Sequence, residues 1–233
     1  MSYAYYQLPS GRVASLEDDC EFPPLTMALK VPNGLIAIGG DLSAARLLSA
    51  YQQGIFPWFS EDEPVMWWSP NPRMVLFPDE LKISNSLKKT LKKQPFDVRF
   101  NTSFRAVITA CSSTLRLDEN NNPAGTWISP AMIEAYCELN RLGYAISMES
   151  WLDNQLVGGC YGIKISHMFY GESMFHHVTD ASKVAFAHLV QYLQEQSVGM
   201  IDCQMKTPLL TSFGGREIPR DEFMQQLLTL IEF

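Results

Sequence analysis

The spacing of apolar residues changes in the middle of the chain, from the helical period of three to four residues to strand-like runs. Before the change, the period predicts three short helices, within 81–94, near 103–111 and near 130–142. After it, apolar runs predict three β-strands, at 144–151, 155–165 and 167–175. A long amphipathic helix, a fourth strand and a last helix complete the predicted order, at 180–196, 200–205 and 219–233.

This order, β-β-β-α-β-α, restricts the possible architecture. Short turns, such as Asp153-Asn154, join the first three strands, so we expect an antiparallel meander. A long helix before the fourth strand is the usual crossover to a parallel neighbour. The predicted fold is α+β with a mixed, mainly antiparallel sheet. It is similar to the second half of the GCN5-related N-acetyltransferase fold, in which an acyl donor lies where the third and fourth strands splay apart.

The first 70 residues predict a separate, smaller unit. Turn residues at 32–34 precede a short apolar run, and Asp41 or Ser43 caps a helix that ends at Gly54. Five prolines then lie within 22 residues, a density expected to interrupt helices and sheets alike. We therefore predict a domain boundary near residue 70, with a small N-terminal domain at 1–70 and an acetyltransferase-like catalytic domain at 71–233.

Two polar residues interrupt the otherwise apolar strand MIDCQM. Alternation places Asp202 and Gln204 on one face and Ile201 and Cys203 on the other. A carboxylate in such a strand needs hydrogen-bond partners, or its pKa rises. The residues allow a structural network that ties the strand to a loop. They also allow an acid–amide pair that faces a cleft and orients or accepts a proton.

The segment GESMF in the third strand is a second candidate. Glu172 is a lone carboxylate among apolar residues, and Gly171 permits a bulge or the close approach of a ligand to the backbone. Strict alternation places Glu172 on the same face as Met168, Tyr170 and Met174. A bulge at Gly171 would mix the two faces, and both possibilities remain open at this point.

Composition indicates a globular protein, because 46% of the residues are hydrophobic and 18% are charged. No apolar run is long enough to span a bilayer and no secretory signal is recognisable, so we expect a cytoplasmic protein. The net charge of −7 argues against general nucleic-acid binding. The exception is a basic helix that is either a solvated face or a phosphate-docking patch, formed by Lys88, Lys89, Lys92 and Lys93.

The sequence predicts neither a metal nor a cofactor. The five cysteines are widely spaced and read as reduced thiols, and the histidines lack a zinc-binding pattern. Phosphate loops, dinucleotide fingerprints and the pyrophosphate loop of acetyl-CoA enzymes are not found. A fold of this type without that last loop is expected to use another acyl donor.

Eight stretches together resemble the bacterial leucyl/phenylalanyl-tRNA–protein transferases. They occur in the family's order across about residues 22–225: PNGLIAIGGDLS, AYQQGIFPWF, WWSPNPR, GTWI, LVGGCYG, GESMF, ASK and IDCQ. The resemblance implies an aminoacyltransferase of the N-end rule. It would move leucine or phenylalanine, and also methionine, from tRNA to proteins with N-terminal Arg or Lys. The alternative is a non-catalytic or altered-specificity relative that binds aminoacyl-tRNA.

The resemblance also implies roles for individual residues. The catalytic pair falls on Asp202 and Gln204, and Glu172 matches the family's acidic residue at the cleft. We expect the carboxylate of Glu172 to meet the Arg or Lys of the acceptor. Contacts to the terminal adenosine fall on Trp58 and Trp127, with Tyr51, Phe56 and Tyr136 nearby. The pocket for the acyl side chain falls on Cys160, Phe169, Met174, Leu189 and Ile201. Backbone groups near Gly171 are expected to stabilise the oxyanion.

The implied partners are Leu-tRNA and Phe-tRNA, through the aminoacyl end and the acceptor stem, and the acceptor protein, with no membrane partner. The expected state is a monomer. One departure from the family pattern is Leu209, which stands where the family usually has histidine. This difference puts in doubt any required role for that histidine.

Overall fold

The structure, a computed structural model, describes residues 3–17, 21–114, 116–117, 123–124 and 126–231, and it describes no side chains within 115–125. Cys20 and the last two residues of the predicted final helix lie outside this part. The first five strands are β1 (Ala4–Leu8), β2 (Gly11–Leu16), β3 (Leu35–Gly39), β4 (Phe56–Pro57) and β5 (Met66–Trp68). They form one sheet in the order β1-β2-β3-β5-β4.

A second sheet contains the candidate site. The remaining strands are β6 (Arg73–Leu76), β7 (Asp97–Phe100), β8 (Arg116–Leu117), β9 (Pro123–Ala124), β10 (Ala145–Leu152), β11 (Gln155–Ile165), β12 (Met168–His176), β13 (Met200–Gln204) and β14 (Arg216–Ile218). Seven of them form the sheet β14-β6-β13-β12-β11-β10-β7, while β8 and β9 pair only with each other.

The helices of the described chain lie around these sheets. They are α1 (Ala44–Gln52), α2 (Asn85–Lys93), α3 (Phe104–Ser112), α4 (Pro130–Arg141), α5 (Ala181–Glu195), α6 (Pro208–Ser212) and α7 (Arg220–Ile231), with short 3₁₀ turns at Leu25–Met27 and Pro78–Glu80. The side chains of Ser43 and Ser84 accept hydrogen bonds from the first turns of α1 and α2. No helix in the described ranges is both long and apolar enough to cross a membrane.

The meander and the crossover are confirmed. Strands β10, β11 and β12 pair antiparallel in sequence, and α5 returns the chain so that β13 runs parallel to β12. The α+β class with a mixed sheet is therefore confirmed. The likeness to GCN5-related acetyltransferases stays a prediction, as does the domain boundary near residue 70.

The expectation that the proline-rich segment excludes sheet structure is wrong. Strands β5 and β6 lie within it and β4 ends on its first proline, because each strand is only two to four residues long. Pro57 itself lies in β4, which is an edge strand of its sheet. An edge strand accommodates proline because it has a hydrogen-bonded neighbour on one side only. The prediction from proline density therefore overlooked short strands.

Two hydrophobic clusters stabilise the molecule. The larger one joins the first sheet to one face of the second and includes Trp67, Tyr51, Tyr170 and Phe223. The smaller one lies between the opposite face of the second sheet and α5, and it includes Phe169, Leu189 and Ile201. The second sheet is thus covered on both faces, and a polar group inside it needs a partner within the protein.

Candidate active site

A cleft opens where β12 and β13 stop pairing. Their parallel ladder joins Met168 to Met200, Phe169 to Ile201 and Tyr170 to Asp202, and it ends there. Both strands continue, and a cavity of about 530 Å³ lies beyond the last pair. Since the ladder no longer joins the two strands, side chains from each can face the same space.

A β-bulge in β12 brings Glu172 to this cavity. Gly171 pairs with Gly162, and Ser173 pairs with the preceding residue Tyr161, so Glu172 has no partner in the register. The bulge resolves the alternative left open by the sequence, because Met174 packs with the smaller cluster while Tyr170 belongs to the larger one. Strict alternation along this strand is therefore wrong beyond Gly171.

Asp202 is held by an ion pair that sequence analysis did not find. The guanidinium of Arg73 in β6 donates from Nε and Nη2 to the two carboxylate oxygens, at 2.8 and 2.7 Å. Both side chains are fully buried. Arg73 also donates to the carbonyl of Gly54, at 3.1 Å, and its guanidinium lies 4.8 and 4.7 Å from the ring centroids of Phe56 and Phe223.

Arg73 could have been identified by the same pattern as Asp202, a charged residue in an apolar strand. In each case a charged residue begins or interrupts an apolar strand, and a buried charge needs a partner of opposite sign. The sequence contains two such anomalies in strands that turn out to be neighbours. Their pairing was not predicted because β6 itself was not predicted.

Gln204 faces the cavity, but Asp202 does not. Gln204 lines the cavity, and its backbone N–H donates to Oδ1 of Asp202, at 2.9 Å. An irregularity against β6 lies between the two residues, and Gln204 has a left-handed backbone with φ of 56°. The expectation that both side chains face the cleft is thus met by Gln204 alone. Asp202 positions the backbone of Gln204, and its carboxylate faces Arg73.

Glu172 accepts hydrogen bonds from two buried tyrosines. The hydroxyl of Tyr51 donates to Oε1 at 2.7 Å, and that of Tyr136 donates to Oε2 at 3.2 Å. The two hydroxyls are also in short hydrogen-bond contact with each other. Burial is the main cause that raises the pKa of Glu172, to about 7, and the two tyrosine hydrogen bonds oppose this shift.

This arrangement corrects the prediction for Tyr51 and Tyr136. Both are fully buried and neither lines the cavity, so neither offers a surface to a nucleoside. Their hydroxyls instead orient Glu172, and burial raises the pKa of each phenol further above its usual value. The family resemblance placed both tyrosines near the terminal adenosine, and it could not show that their side chains are buried behind Glu172.

The remaining predicted contacts do surround the cavity. Trp58, Trp127 and Phe56 lie along it, and Trp58 is 40% exposed. The residues predicted for the acyl side chain all line it: Cys160, Phe169, Met174, Leu189 and Ile201. Leu209, at the position usually occupied by histidine, also lines it. The functional roles of these residues stay predictions.

The basic patch lies away from the cavity wall. Lys88, Lys89, Lys92 and Lys93 are exposed on α2, and Leu87 is the buried residue of that helix. None of the four lysines lines the cavity. The geometry fits either a solvated face or an outer docking patch, and it excludes these lysines from the walls of the site.

The geometry defines a class of site: a cleft between diverging strands, with an apolar end for an acyl group and an amide and a carboxylate beside it. The family models named Leucyl/phenylalanyl-tRNA protein transferase N-terminal domain and Leucyl/phenylalanyl-tRNA protein transferase match residues 40–71 and 75–228. The chain therefore belongs to the leucyl/phenylalanyl-tRNA–protein transferase family and is an aminoacyltransferase.

Relatives with this name are similar over most of their length. The protein of Nitrosospira multiformis is 52% identical over 94% of this chain and 92% of its own. The protein of Dechloromonas aromatica is 56% identical over 90% and 88%. A solved structure of L-PGS from Bacillus licheniformis aligns with a TM-score of 0.38 and 8% identity over 74% of this chain and 53% of that one, which is too weak to support any conclusion.

Proposed function

We propose that the protein transfers leucine or phenylalanine, and also methionine, from aminoacyl-tRNA to the α-amino group of proteins that begin with Arg or Lys. The product would be a degradation signal of the N-end rule, formed in the cytoplasm by a monomer. The observation that supports this proposal is the cavity, whose apolar end adjoins Gln204 and Glu172 in a member of the transferase family.

The apolar end would select the aminoacyl side chain. Phe169, Leu189 and Ile201 are buried members of the smaller core cluster, and they also line the cavity. An aminoacyl side chain that enters this end would pack against the core residues, and the burial of its apolar surface would favour binding. Such a slot discriminates by only about 1–3 kcal/mol for each methylene. It would therefore accept leucine, phenylalanine and methionine together while it excludes polar side chains.

The aromatic side chains at the mouth would bind the end of the tRNA. Trp58 is the most exposed of them, and its ring packs edge-on against Trp68 at a centroid distance of 5.7 Å. A base that stacks on an exposed indole gains roughly 1–3 kcal/mol. Trp58, Phe56 and Trp127 would thus hold the terminal adenosine while the ester carbonyl lies near Gly171.

The chemistry needs positioning more than a strong base. The donor ester is already activated, and a neutral α-amine attacks its carbonyl carbon so that a C–N bond forms and the C–O bond to ribose breaks. Gln204 would accept a hydrogen bond from the amine through its side-chain carbonyl, and Asp202 would fix the backbone of Gln204. The ribose oxygen takes the proton that the amine nitrogen loses, directly or through water.

Two further groups would complete the site. The bulge at Gly171 and Glu172 leaves backbone N–H groups outside the regular ladder, where they could stabilise the oxyanion. Glu172 would face the cationic end of the acceptor, since it is the carboxylate that lines the cavity. No covalent enzyme intermediate is required.

The experiment uses Phe-tRNA with a labelled amino acid and two peptides that differ only in a first residue of Arg or Ala. We expect transfer to the Arg peptide and little to the Ala peptide. Binding of Phe-tRNA without transfer to either peptide would support the non-catalytic alternative. Transfer to a different acceptor would support altered specificity, for which Leu209 in the cavity wall is the first position to restore to histidine.

The basic patch on α2 predicts a salt-dependent contribution to tRNA binding. Each phosphate that a lysine neutralises changes the slope of log affinity against log salt by about 0.9 for a duplex. Replacing the four lysines with alanine should make this slope shallower. The control is Lys164→Ala in β11, because Nζ of Lys164 donates to the backbone carbonyl of Ser166, just beyond the end of that strand. An unchanged slope in the quadruple variant would remove the patch from the proposal.

A further inference from the structure

Three side chains form a closed set of oxygen atoms at the cleft. Tyr51 comes from α1, Tyr136 from α4 and Glu172 from the bulge of β12. Each hydroxyl contacts one carboxylate oxygen, and the hydroxyls contact each other, which gives three oxygen–oxygen contacts. Tyr170 lies outside this set, and its hydroxyl donates to the backbone carbonyl of Tyr51 at 2.8 Å.

The number of protons does not match the number of contacts when Glu172 is ionised. The two hydroxyls supply two protons, and an ionised carboxylate supplies none. One of the three contacts then lacks a proton, and two oxygen lone pairs face each other across it. A protonated Glu172 supplies the third proton, and a directional ring becomes possible: Glu172 to Tyr136, Tyr136 to Tyr51, and Tyr51 back to Glu172. The geometry has a place for one additional proton.

No neighbouring positive charge in the described part of the chain takes the role of this additional proton. Among the described residues, no cationic side chain forms a hydrogen bond or ion pair with Glu172. Arg73 in β6 acts only at longer range, and it is already paired with Asp202 in β13, whose negative charge opposes it. The neighbours from α1 and α4 are the two phenols. The carboxylate of Glu172 can therefore bind a proton without having to break an ion pair.

We propose that Glu172, oriented by Tyr51 and Tyr136, takes a proton from the α-ammonium group of the acceptor and so produces the amine that attacks the ester. This inference rests on the proposed function. The step is balanced: the ammonium and the carboxylate give a neutral amine and a carboxylic acid. The acid then returns its proton to solvent after the product leaves. Glu172 is thereby a catalytic residue as well as a binding residue.

The hydrogen bonds of Glu172 favour the α-ammonium over an arginine side chain as its ligand. Each carboxylate oxygen already accepts one tyrosine proton and keeps one further lone pair, so a guanidinium fork would have to use both remaining lone pairs at once. An ammonium group needs only one free lone pair. The first side chain of the acceptor would then extend away from the tyrosines.

The pKa of the group fits the task. Burial raises the pKa of Glu172 to about 7, close to the value of about 7.7–8.0 for an α-amino group. At pH 7 roughly a tenth of a free α-amine is neutral, while about half of Glu172 would be ionised. Proton transfer within the complex lets the ammonium form of the acceptor react as well as the neutral form, and the ratio of these two fractions limits the gain in rate to about fivefold at pH 7 and to little at pH 9.

The test is the pH profile of kcat/KM for a peptide with N-terminal Arg, with saturating Phe-tRNA and correction for spontaneous ester hydrolysis. Glu172→Gln should be about two- to fivefold slower than the parent at pH 7 and within twofold at pH 9, where solution supplies the neutral amine. A deficit that is the same at every pH would overturn the proposal. A parent that fails to transfer at any pH would instead refute the proposed function.

Two tyrosine variants separate this role from a structural one. Tyr136→Phe removes a hydrogen bond that lowers the pKa of Glu172, so the acidic limb of the profile should move to higher pH. Tyr170→Phe is the matched control, because it also removes a buried hydroxyl but leaves the carboxylate contacts intact. Its profile should keep the parent's shape. Equal displacement of both profiles would show that general loosening of the site, rather than proton transfer, explains the effect.

Discussion

Replacing Asp202 with alanine would leave the guanidinium of Arg73 buried without its carboxylate. The two side chains have no exposed surface and share two hydrogen bonds of 2.8 and 2.7 Å. Only the carbonyl of Gly54 and two aromatic rings would remain around the positive charge. Removing one partner of such a pair costs about 3–5 kcal/mol, a large part of the roughly 5–15 kcal/mol that stabilises an ordinary domain.

Urea unfolding followed by tryptophan fluorescence measures this cost. With a slope of about 3 kcal/mol per molar urea, the midpoint should fall by about 1–1.7 M. The matched control is Glu134→Ala, because Glu134 and Arg105 also share two hydrogen bonds, of 2.6 and 2.8 Å, while both are mostly exposed. Water and salt screen an exposed pair, so its loss should barely change the midpoint.

Two results would refute the reasoning. A midpoint for Asp202→Ala no lower than that of Glu134→Ala would mean that the buried pair contributes no more than a surface pair. The same variant, measured below its unfolding range, should lose turnover more than donor binding, because the backbone of Gln204 loses its acceptor. Turnover within twofold of the parent would remove Asp202 from the positioning of Gln204.

Three further predictions follow from the cavity wall. Gly171→Ala should fold, because the nearest atom to an added Cβ would be 3.7 Å away, but its transfer rate should fall because the Cβ blocks the approach of a ligand to the backbone. Gly162→Ala should show no folding transition in a thermal scan, because its added Cβ would lie 2.2 Å from a backbone carbonyl oxygen. Cys160→Leu narrows the apolar end, so competition between Phe-tRNA and Leu-tRNA should shift towards leucine by tenfold or more, a change of about 1.4 kcal/mol. The pKa of Glu172 is raised to about 7 in the folded state, so its proton stabilises the fold at low pH and this stabilisation is lost as pH rises from about 4 to 7. The difference in melting temperature between the parent and Glu172→Gln should therefore move against the parent over that range, and a constant difference would contradict the shift.

The order of elements in the second half of the chain could be predicted because local rules and tertiary structure agree there. The strand at 155–165 coincides with β11, and the predicted helix at 180–196 differs from α5 by one residue at each end. Both segments are long and strongly patterned. The first sheet was missed because its strands are short and it brings residues near 4 and near 67 together, which no local pattern reveals.

The candidate site was predictable in its residues but not in its contacts. Asp202, Gln204 and Glu172 stand out because polar groups are rare in apolar strands. Their partners depend on bulges at Gly171 and after Asp202, and a bulge changes every side-chain direction beyond it. The resemblance to a family placed Tyr51 near the ligand, but only the structure shows that its hydroxyl serves Glu172 instead.

The environment of Arg73 has a consequence for the order in which the protein can be made. Its ligands come from Gly54 and Phe56, from Asp202 and from Phe223 in α7, so they are separated by about 170 residues along the chain. A ribosome delivers them over many seconds, at roughly 5–20 residues per second. Until α7 emerges, the buried charge of Arg73 lacks one of its covering rings. The ion pair with Asp202, which fixes the backbone of Gln204 at the cavity, and the ring of Phe223 over the guanidinium are therefore both completed late in synthesis.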